Sequence, residues 1–275
     1  MKCPICNVEE WIIAHAGPVR HGKNGSEDRI VYQCVGCEVQ RINQFYDPRN
    51  YESGEYRRIL EEPDWKYEEH DQKQLLLYNH LPSMRGKVVV DVGCGGGSFL
   101  DLIYGMAKDV IGIEPNSNYH DRPYRVYPYM KDAPKGIADV AVSFDVIEHV
   151  ENPVEFLREM KELVKPGGDI YISTPNRGDV LLSLSTDYRA FWYRTVHNWY
   201  FDSMNLYLCG ETAGLQYVGT DMAHRFGIEN TLKWLSNVFT GFLDTEALDL
   251  QWKQWLKENQ MSEFILIHFR RWGHE

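Results

Sequence analysis

From residue 87 onward the sequence alternates short apolar runs with longer stretches of mixed apolar and polar residues. The apolar runs have the length of β-strands, and the stretches between them have the spacing of helices. The pattern predicts strands over 87–92, 109–113, 125–129, 139–144 and 169–173, and helices over 98–107 and 153–164. Strands and helices in alternation predict an α/β fold with a doubly wound, mainly parallel sheet.

The same reading extends to both sides of this region. It predicts further strands over 215–220 and 263–269, and further helices over 68–81, 229–240 and 246–258. Residues 46–66 are polar and rich in tyrosine, with Pro48 and Pro63 interrupting any regular pattern. We expect a connector or lid in this segment.

Four of the six cysteines lie near the amino terminus, as Cys3-Pro-Ile-Cys6 and Cys34-Val-Gly-Cys37. Two Cys-x-x-Cys pairs are typical of a tetrahedral structural zinc site. A hairpin with strands at 11–14 and 30–33 and its tip at 22–25 would fill the gap. The prediction is a zinc-ribbon-like module over residues 1–45. Two alternatives stay open: four reduced cysteines without metal, or replacement of one cysteine ligand by His15 or His21.

The strand at 87–92 runs into a glycine-rich turn, Val88-Val-Val-Asp-Val-Gly-Cys-Gly-Gly-Gly97. Gly93, Gly95 and Gly97 allow the close backbone approach and the positive dihedral angles of a ligand-binding turn. A dinucleotide-binding turn would have its last glycine at position 98, which is Ser98 here. Asp91 would repel a pyrophosphate but attract a cation. The turn therefore favours a positively charged nucleoside ligand over NAD.

Glu114 follows the second strand, about twenty residues after the glycines. A carboxylate at this place can accept hydrogen bonds from both hydroxyls of a ribose. The alternative is an exposed glutamate before Pro115. Together with the glycine turn, the position favours the ribose contact.

At this point the sequence resembles the class I S-adenosylmethionine-dependent methyltransferases, over about residues 70 to 270. Four segments carry the resemblance: Asp91-Val-Gly-Cys-Gly-Gly-Gly97, Gly112-Ile-Glu-Pro115, Phe144-Asp-Val-Ile-Glu-His-Val150 and Leu163-Val-Lys-Pro-Gly-Gly168. The resemblance implies a Rossmann-like, seven-stranded sheet whose last strand, at 263–269, is antiparallel. It also implies a methyltransferase domain over residues 67–275, with acceptor-binding insertions near 177–203 and 222–260.

The resemblance further implies a set of contacts to S-adenosylmethionine. The methionine end would be held by Asp91 and the glycine turn, the ribose by Glu114, and the sulfonium side by Phe144 and Asp145. Residues 131–133 would lie near adenine, with Asp132 as the polar contact. The complete set of expected cofactor-binding residues is Asp91, Gly93, Cys94, Gly95, Gly97, Glu114, Pro115, Asp132, Phe144 and Asp145. Cys94 is expected to be a small packing residue rather than a nucleophile.

Methyl transfer requires a positioned acceptor and, for a hydroxyl, a group that removes its proton. His149 follows the fourth strand of the domain and is the first candidate for this general base. The alternative is that it only orders its loop. His197 is a second candidate, and Asn176 could orient the acceptor. Arg189 and Arg194, in an aromatic-rich stretch at 188–201, could bind a phosphate or carboxylate.

The net charge of −11 disfavours an extended nucleic-acid partner, since such proteins usually carry a basic surface. We find neither a twenty-residue apolar run nor a signal-peptide pattern, and expect a cytoplasmic protein without a membrane span. The sequence leaves the oligomeric state open.

A Cys-Pro-x-Cys module before such a domain is similar to sugar methyltransferases of deoxysugar and glycan biosynthesis, and to RNA methyltransferases. Sugar C-methyltransferases carry a further carboxyl-terminal domain that we do not see here, which favours O- or N-methylation. We therefore expect a sugar, nucleotide-sugar or phosphate-bearing acceptor. The alternatives are an RNA methyltransferase that grips RNA with its zinc module, and a non-catalytic sensor or scaffold that binds S-adenosylmethionine.

Overall fold

The computed structural model of the protein describes residues 2–59, 66–235 and 246–273. The strands in these ranges are β1 Trp11–His21, β2 Gly25–Cys34, β3 Gln40–Ile42, β4 Val88–Val92, β5 Asp109–Ile113, β6 Arg125–Tyr127, β7 Ala138–Phe144, β8 Val164–Pro175, β9 Trp199–Tyr200, β10 Gln216–Ala223 and β11 Phe264–Arg270. The helices are α1 Arg49–Glu52, α2 Glu55–Ile59, α3 Tyr67–Tyr78, α4 Ser98–Ile103, α5 Pro153–Leu163, α6 Val180–Leu184, α7 Thr186–Trp192, α8 Ser203–Thr212, α9 Ile228–Leu235 and α10 Glu246–Glu258. Within the same ranges, none of the helices combines the length and the apolar character needed to cross a bilayer.

The larger sheet has seven strands in the order β10-β11-β8-β7-β4-β5-β6. Strands β4 to β8 are parallel, and β11 pairs antiparallel with both β8 and β10. This confirms the predicted seven-stranded α/β sheet with an antiparallel last strand. The strand order reverses between β4 and β7, so a crevice forms where the chain leaves these two strands. Ligands of doubly wound sheets bind at such a reversal.

Helices cover both faces of this sheet because successive strand residues point to opposite sides. Val90 of β4 belongs to one apolar cluster, which Leu157 of α5 closes from outside. Its neighbour Val89 belongs to a second cluster, closed by Leu100 of α4. The strand is thus buried on both faces, which explains its nearly continuous apolar sequence.

The smaller sheet has the order β1-β2-β3-β9. Its hairpin confirms the strands expected at 11–14 and 30–33, although both are longer because pairing continues to the turn, where His21 faces Gly25. Strand β9 comes from the predicted insertion at 177–203, and Tyr200 pairs with Gln40. Neither β3 nor β9 was predicted from the sequence. The amino-terminal sheet therefore includes backbone from the methyltransferase region.

Several predicted elements differ in extent from the structure, among them α4 and β8. Helix α4 ends at Ile103, four residues early, and the chain continues as a tighter turn in which the Met106 N–H donates to the Ile103 carbonyl. Strand β8 begins at Val164, five residues early, where it pairs with Ala138. The predicted connector contains the short helices α1 and α2. The second half of the helix expected at 229–240 lies outside the described residues.

Candidate active site

The turn after β4 depends on glycine at two places. Gly93 and Gly97 have φ angles of 79° and 86°, in the left-handed region that other residues rarely adopt. A Cβ atom on Gly93 would lie 2.4 Å from a methyl carbon of Val146. Arg122 donates a hydrogen bond to the carbonyl of Gly96 from outside the turn. The turn is therefore closely packed on both sides, and its backbone forms the floor of the crevice.

Two buried carboxyl groups lie beside this turn, Asp91 at the end of β4 and Glu114 after β5. Glu114 accepts hydrogen bonds from the N–H of Gly95 at 3.0 Å and from the N–H of Asn116 at 2.9 Å. The Asp91 carboxyl forms no hydrogen bond with any of the described residues. Burial and the nearby Glu114 raise the pKa of Asp91 to about 8. Burial also raises the pKa of Glu114. This pair would be stabilised by a bound cation.

Cys94 and Phe144 both contribute to the apolar packing under the crevice. A Cβ atom on Gly112 would lie 2.7 Å from the Cys94 sulfur, so the thiol fills the space between the turn and β5. Burial raises the pKa of this thiol well above its usual value, which fits the predicted packing role and not a nucleophile. The Phe144 ring makes an edge contact with Phe99, with ring centroids 5.2 Å apart.

Asp145 follows Phe144 with an unusual backbone φ of 57°. One of its oxygens forms an ion pair with Lys73 of α3. Its other oxygen is buried and has no hydrogen-bond partner among the described residues. The sequence did not indicate Lys73, because the ion pair joins elements 72 positions apart. A residue in such a strained conformation is often part of a ligand site.

The predicted adenine contact, Asp132, lies on the surface and not in the buried part of the site. Asp132 lies at the end of a short 3₁₀ helix, Met130–Asp132, and its side chain is exposed. The neighbouring Met130 and Ala133 are buried. The contact of Asp132 with adenine therefore stays a prediction, and its carboxylate faces solvent in this structure. Pro115 is half-buried beside Glu114.

His149 is largely buried and is held by two groups on its Nδ1 atom. The Val196 carbonyl lies 2.8 Å from Nδ1, and the Tyr51 hydroxyl lies 2.9 Å from it. A carbonyl can only accept, so Nδ1 carries the proton and Nε2 keeps its lone pair. Burial is the main cause that lowers the pKa of His149 to about 4. The imidazole is consequently neutral near pH 7, with its lone pair on Nε2, and in this buried state it is a weaker base than an exposed histidine.

His197 packs against His149, with ring centroids 4.8 Å apart. Burial lowers the pKa of His197 well below its usual value. Glu148 is also buried beside them and accepts a hydrogen bond from the Thr174 hydroxyl at 3.0 Å. One ligand atom each from Glu148, His149 and His197 lies within 4.8 Å of the others, so this donor set could also hold a metal ion.

Asn176 does not have a free amide for an acceptor molecule. Its Nδ2 donates to the carbonyls of Gln260 and Ser262, at 2.9 and 2.8 Å. Its Oδ1 accepts from the N–H of Gly178 at 2.8 Å. These bonds hold the turn after β8, and the expectation that Asn176 orients the acceptor is not carried forward. Arg189 is likewise engaged, since its guanidinium donates to the Leu182 carbonyl.

The connector helices lie across the carboxyl ends of the sheet strands. Tyr51 of α1 reaches His149 after β7, and the Tyr56 ring of α2 lies 5.8 Å from the His149 ring. Glu52 accepts a hydrogen bond from the Tyr129 hydroxyl after β6, at 2.8 Å. The segment thus covers the crevice from above. Nothing in its sequence indicated which residues it would contact.

The four amino-terminal cysteines converge at one point. The sulfur–sulfur distance is 3.6 Å between Cys3 and Cys37 and 3.4 Å between Cys6 and Cys34, and all four sulfurs lie within 4.8 Å of one another. A tetrahedral zinc site with Zn–S bonds of about 2.3 Å needs sulfurs about 3.8 Å apart. The residues present therefore fit zinc.

The two histidines of this region serve other contacts. The His15 ring stacks on Tyr193 at 4.9 Å, and His21 Nδ1 lies 2.9 Å from the Thr195 hydroxyl. The alternative in which one of them replaces a cysteine ligand is therefore wrong. Both contacts are instead part of the junction between the amino-terminal module and the insertion after β8.

A seven-stranded sheet with this strand order, a glycine turn after β4 and paired carboxyl groups beside it define an S-adenosylmethionine-dependent methyltransferase fold. Residues 65–220, more than half of the chain, match the family model described as a methyltransferase domain. The protein belongs to this methyltransferase family.

Two curated relatives are ubiquinone biosynthesis O-methyltransferases. The protein of Acinetobacter baumannii (strain AYE) is 33% identical over 109 residues, which cover 34% of this chain and 46% of the relative. That of Albidiferax ferrireducens is 33% identical over 117 residues, covering 36% and 45%. The chain thus spans about half the length of the curated relatives it matches.

Two solved structures share the fold at low sequence identity. A complex of the Haloferax volcanii Trm112 methyltransferase activator with a methyltransferase matches with a TM-score of 0.55 and 15% identity, covering 83% of this chain and 99% of the matched chain. An S-adenosylmethionine-dependent methyltransferase of Archaeoglobus fulgidus matches with a TM-score of 0.52 and 19% identity, covering 72% and 93%. At this identity the likeness concerns the fold.

Proposed function

We propose that the protein transfers the methyl group of S-adenosylmethionine to a small-molecule acceptor in the crevice between the glycine turn and His149. The observation that carries the proposal is the buried Asp91 carboxyl without a hydrogen-bond partner among the described residues, beside Glu114 and the glycine turn. S-adenosylmethionine has two cationic groups and a ribose. Its positive charge suits the Asp91 carboxyl, and its ribose hydroxyls suit the Glu114 carboxyl.

The proposed contacts to S-adenosylmethionine involve several segments of this chain. The glycine turn and Asp91 hold the amino-acid end, Glu114 binds the ribose hydroxyls, and the segment 131–133 borders the adenine. Phe144 and Asp145 border the sulfonium. When bound, S-adenosylmethionine supplies an activated methyl group, so the protein mainly orients the acceptor and takes up its proton.

His149 is the proposed proton acceptor. Its Nδ1–H is held by the Val196 carbonyl, which leaves Nε2 free to take a proton from an acceptor hydroxyl. His197 is the second candidate, and its ring packs edge to face against the His149 ring. The curated relatives also favour a hydroxyl acceptor, since they are named as O-methyltransferases.

The cover formed by α1 and α2 supports a small acceptor over a polymer. Tyr51 and Tyr56 close the crevice directly above His149, where a long nucleic acid would have to lie. The net charge of −11 argues in the same direction. Within this class, we retain a sugar-type or phosphate-bearing acceptor and a cytoplasmic location as proposals.

We also propose that the four-cysteine module binds one structural zinc ion. Its hydrophobic surroundings tie it to the methyltransferase region, since Cys3 and Cys37 share one apolar cluster with Leu206 of α8. The Thr212 hydroxyl donates to the Ile5 carbonyl at 3.0 Å across the same contact. A module of this size needs its metal to fold.

The test uses S-adenosylmethionine labelled in its methyl group. The protein is incubated with it and with a cell extract separated into small molecules, glycans, RNA and protein. Label in the small-molecule fraction, absent with His149→Ala, is the expected result. Label in RNA alone would contradict the small-acceptor proposal. Tight binding of S-adenosylmethionine without transfer to any fraction would favour a sensor.

A further inference from the structure

Arg20 of the hairpin and Arg194 of the insertion lie side by side. The backbone N–H of Arg20 donates to the Tyr193 carbonyl, and the N–H of Thr195 donates to the Arg20 carbonyl, both at 3.0 Å. These bonds form a parallel bridge between the two arginines. Residues paired in a bridge send their side chains to the same side. The two guanidinium groups therefore share one region.

Neither guanidinium has a carboxylate partner within the residues the structure describes. Arg20 stacks on the Phe191 ring at 3.8 Å, and its Nε atom is buried without a hydrogen-bond partner in that part of the chain. Burial and the charge of Arg194 lower the pKa of Arg20 to about 10. By contrast, Arg29 and Arg177 are paired with Glu27 and Asp202. Both arginines are half-buried. Two neighbouring, partly desolvated positive charges without a counter-charge repel each other, and a bound anion would compensate them.

The arginine pair borders the candidate base. Arg194 lies two residues before Val196, whose carbonyl holds His149. Its positive charge is close enough to lower the pKa of both His149 and His197. The Arg194 charge also acts on Tyr56 of α2, where it opposes the rise in pKa that burial causes. An anionic group bound by the arginines would thus place the rest of its molecule beside His149.

We infer that Arg20 and Arg194 form an anion subsite that binds a phosphate or carboxylate group of the acceptor. This inference rests on the proposed function and narrows it to acceptors with an anionic group. Guanidinium groups suit such anions because they donate two parallel hydrogen bonds. The amino-terminal module then has a direct part in acceptor binding, since its hairpin supplies one of the two arginines.

The test uses inorganic phosphate and acetate as probes, titrated separately at constant ionic strength. Binding is measured by calorimetry and by the thermal midpoint for the wild type, Arg20→Gln, Arg194→Gln and the control Arg85→Gln. Arg85 is exposed and remote from the crevice. We expect saturable binding of at least one anion to the wild type and the control. Each of the other two variants should weaken it at least tenfold. The preferred anion identifies the acceptor group.

Two further measurements distinguish failure of the anion subsite from misfolding of a variant and from failure of the proposed function. Arg20→Lys keeps the charge and should bind the anion more tightly than Arg20→Gln. The dissociation constant of S-adenosylmethionine should be equal in all variants. Equal anion affinity in all four proteins, or no saturable binding of either anion to the wild type, would overturn the subsite. Absence of S-adenosylmethionine binding in every sample would instead refute the methyltransferase proposal and leave the anion result standing.

Discussion

The hydroxyl oxygen of Tyr51 lies 2.9 Å from Nδ1 of His149, and 98 positions of sequence separate the two residues. The same hydroxyl is within 3.3 Å of the Val196 carbonyl, the second partner of Nδ1. The connector is thus linked to the candidate base by a polar contact as well as by ring packing. Closure of the crevice and orientation of the imidazole are therefore expected to depend on each other.

Tyr51→Phe tests this link. The variant keeps the ring but removes the hydroxyl, and the loss of about 1 kcal/mol should lower kcat roughly fivefold. The affinity for S-adenosylmethionine should not change, since Tyr51 is not among its proposed contacts. Tyr32→Phe, on β2 of the amino-terminal sheet, is the matched control and should retain full activity. An unchanged kcat in Tyr51→Phe would show that the contact has no part in turnover.

We predict that Asp91 makes the binding of S-adenosylmethionine pH-dependent. Its pKa of about 8 means that the carboxyl is mostly protonated at pH 6. A cationic ligand favours the ionised form, so binding releases a proton, and affinity should rise by up to about tenfold per pH unit between pH 6 and 8. The nearby titratable groups, Glu114 and Cys94, are also buried and have raised pKa values.

Calorimetry in buffers of different ionisation enthalpy measures this proton release directly. Asp91→Asn should bind more weakly and lose the pH dependence that the carboxyl causes. The titration of the ligand's own amino group is common to both proteins and cancels in the comparison. The same slope in wild type and Asp91→Asn would rule out Asp91 as the linked group.

Glu114→Ala should weaken S-adenosylmethionine binding at least tenfold, on the order of 1.4 kcal/mol. The variant removes the proposed ribose contact and the two hydrogen bonds that the carboxylate accepts from Gly95 and Asn116. Glu114→Gln keeps the shape and should show an intermediate loss. The control is Glu68→Gln, an exposed residue at the start of α3. Unchanged affinity in Glu114→Ala would refute the ribose assignment.

Metal analysis should find about one zinc ion per chain. Cys6→Ser should lose it, whereas Cys94→Ser should retain it because Cys94 lies under the glycine turn. Removal of the metal with a chelator should lower the thermal midpoint, since Cys3 and Cys37 share an apolar cluster with Leu206 of α8. A metal-free protein with an unchanged midpoint would argue against a structural zinc ion.

Most of the larger sheet could be predicted from local sequence. Strand β5 has the predicted bounds, because the run Val110-Ile-Gly-Ile113 is apolar on both faces and is bounded by Asp109 and Glu114. Helix α5 begins where Asn152-Pro153 predicts, and the Asn152 side chain caps it by accepting from the N–H groups of Val154 and Glu155. Such signals act over a few residues, which is why they can be read without the fold.

The site was predicted less completely. Asp91, Glu114 and the glycines lie together as expected, because they follow strands whose ends must meet at one edge of the sheet. Their contacts to the cofactor stay predictions. Asn176 was misjudged, since its hydrogen bonds to Gln260 and Ser262 cross 84 and 86 positions of sequence. No local pattern reports such contacts.

The sequence by itself determined the sheet, the glycine turn, the four cysteines and the neighbourhood of Asp91 and Glu114, because short-range periodicity and spacing specify them. Only the tertiary structure decided that Tyr51 covers His149, that Lys73 pairs with Asp145 and that Arg20 lies beside Arg194. These contacts arise when separate elements pack together. Their partners are chosen by burial and charge in three dimensions, and not by neighbours along the chain.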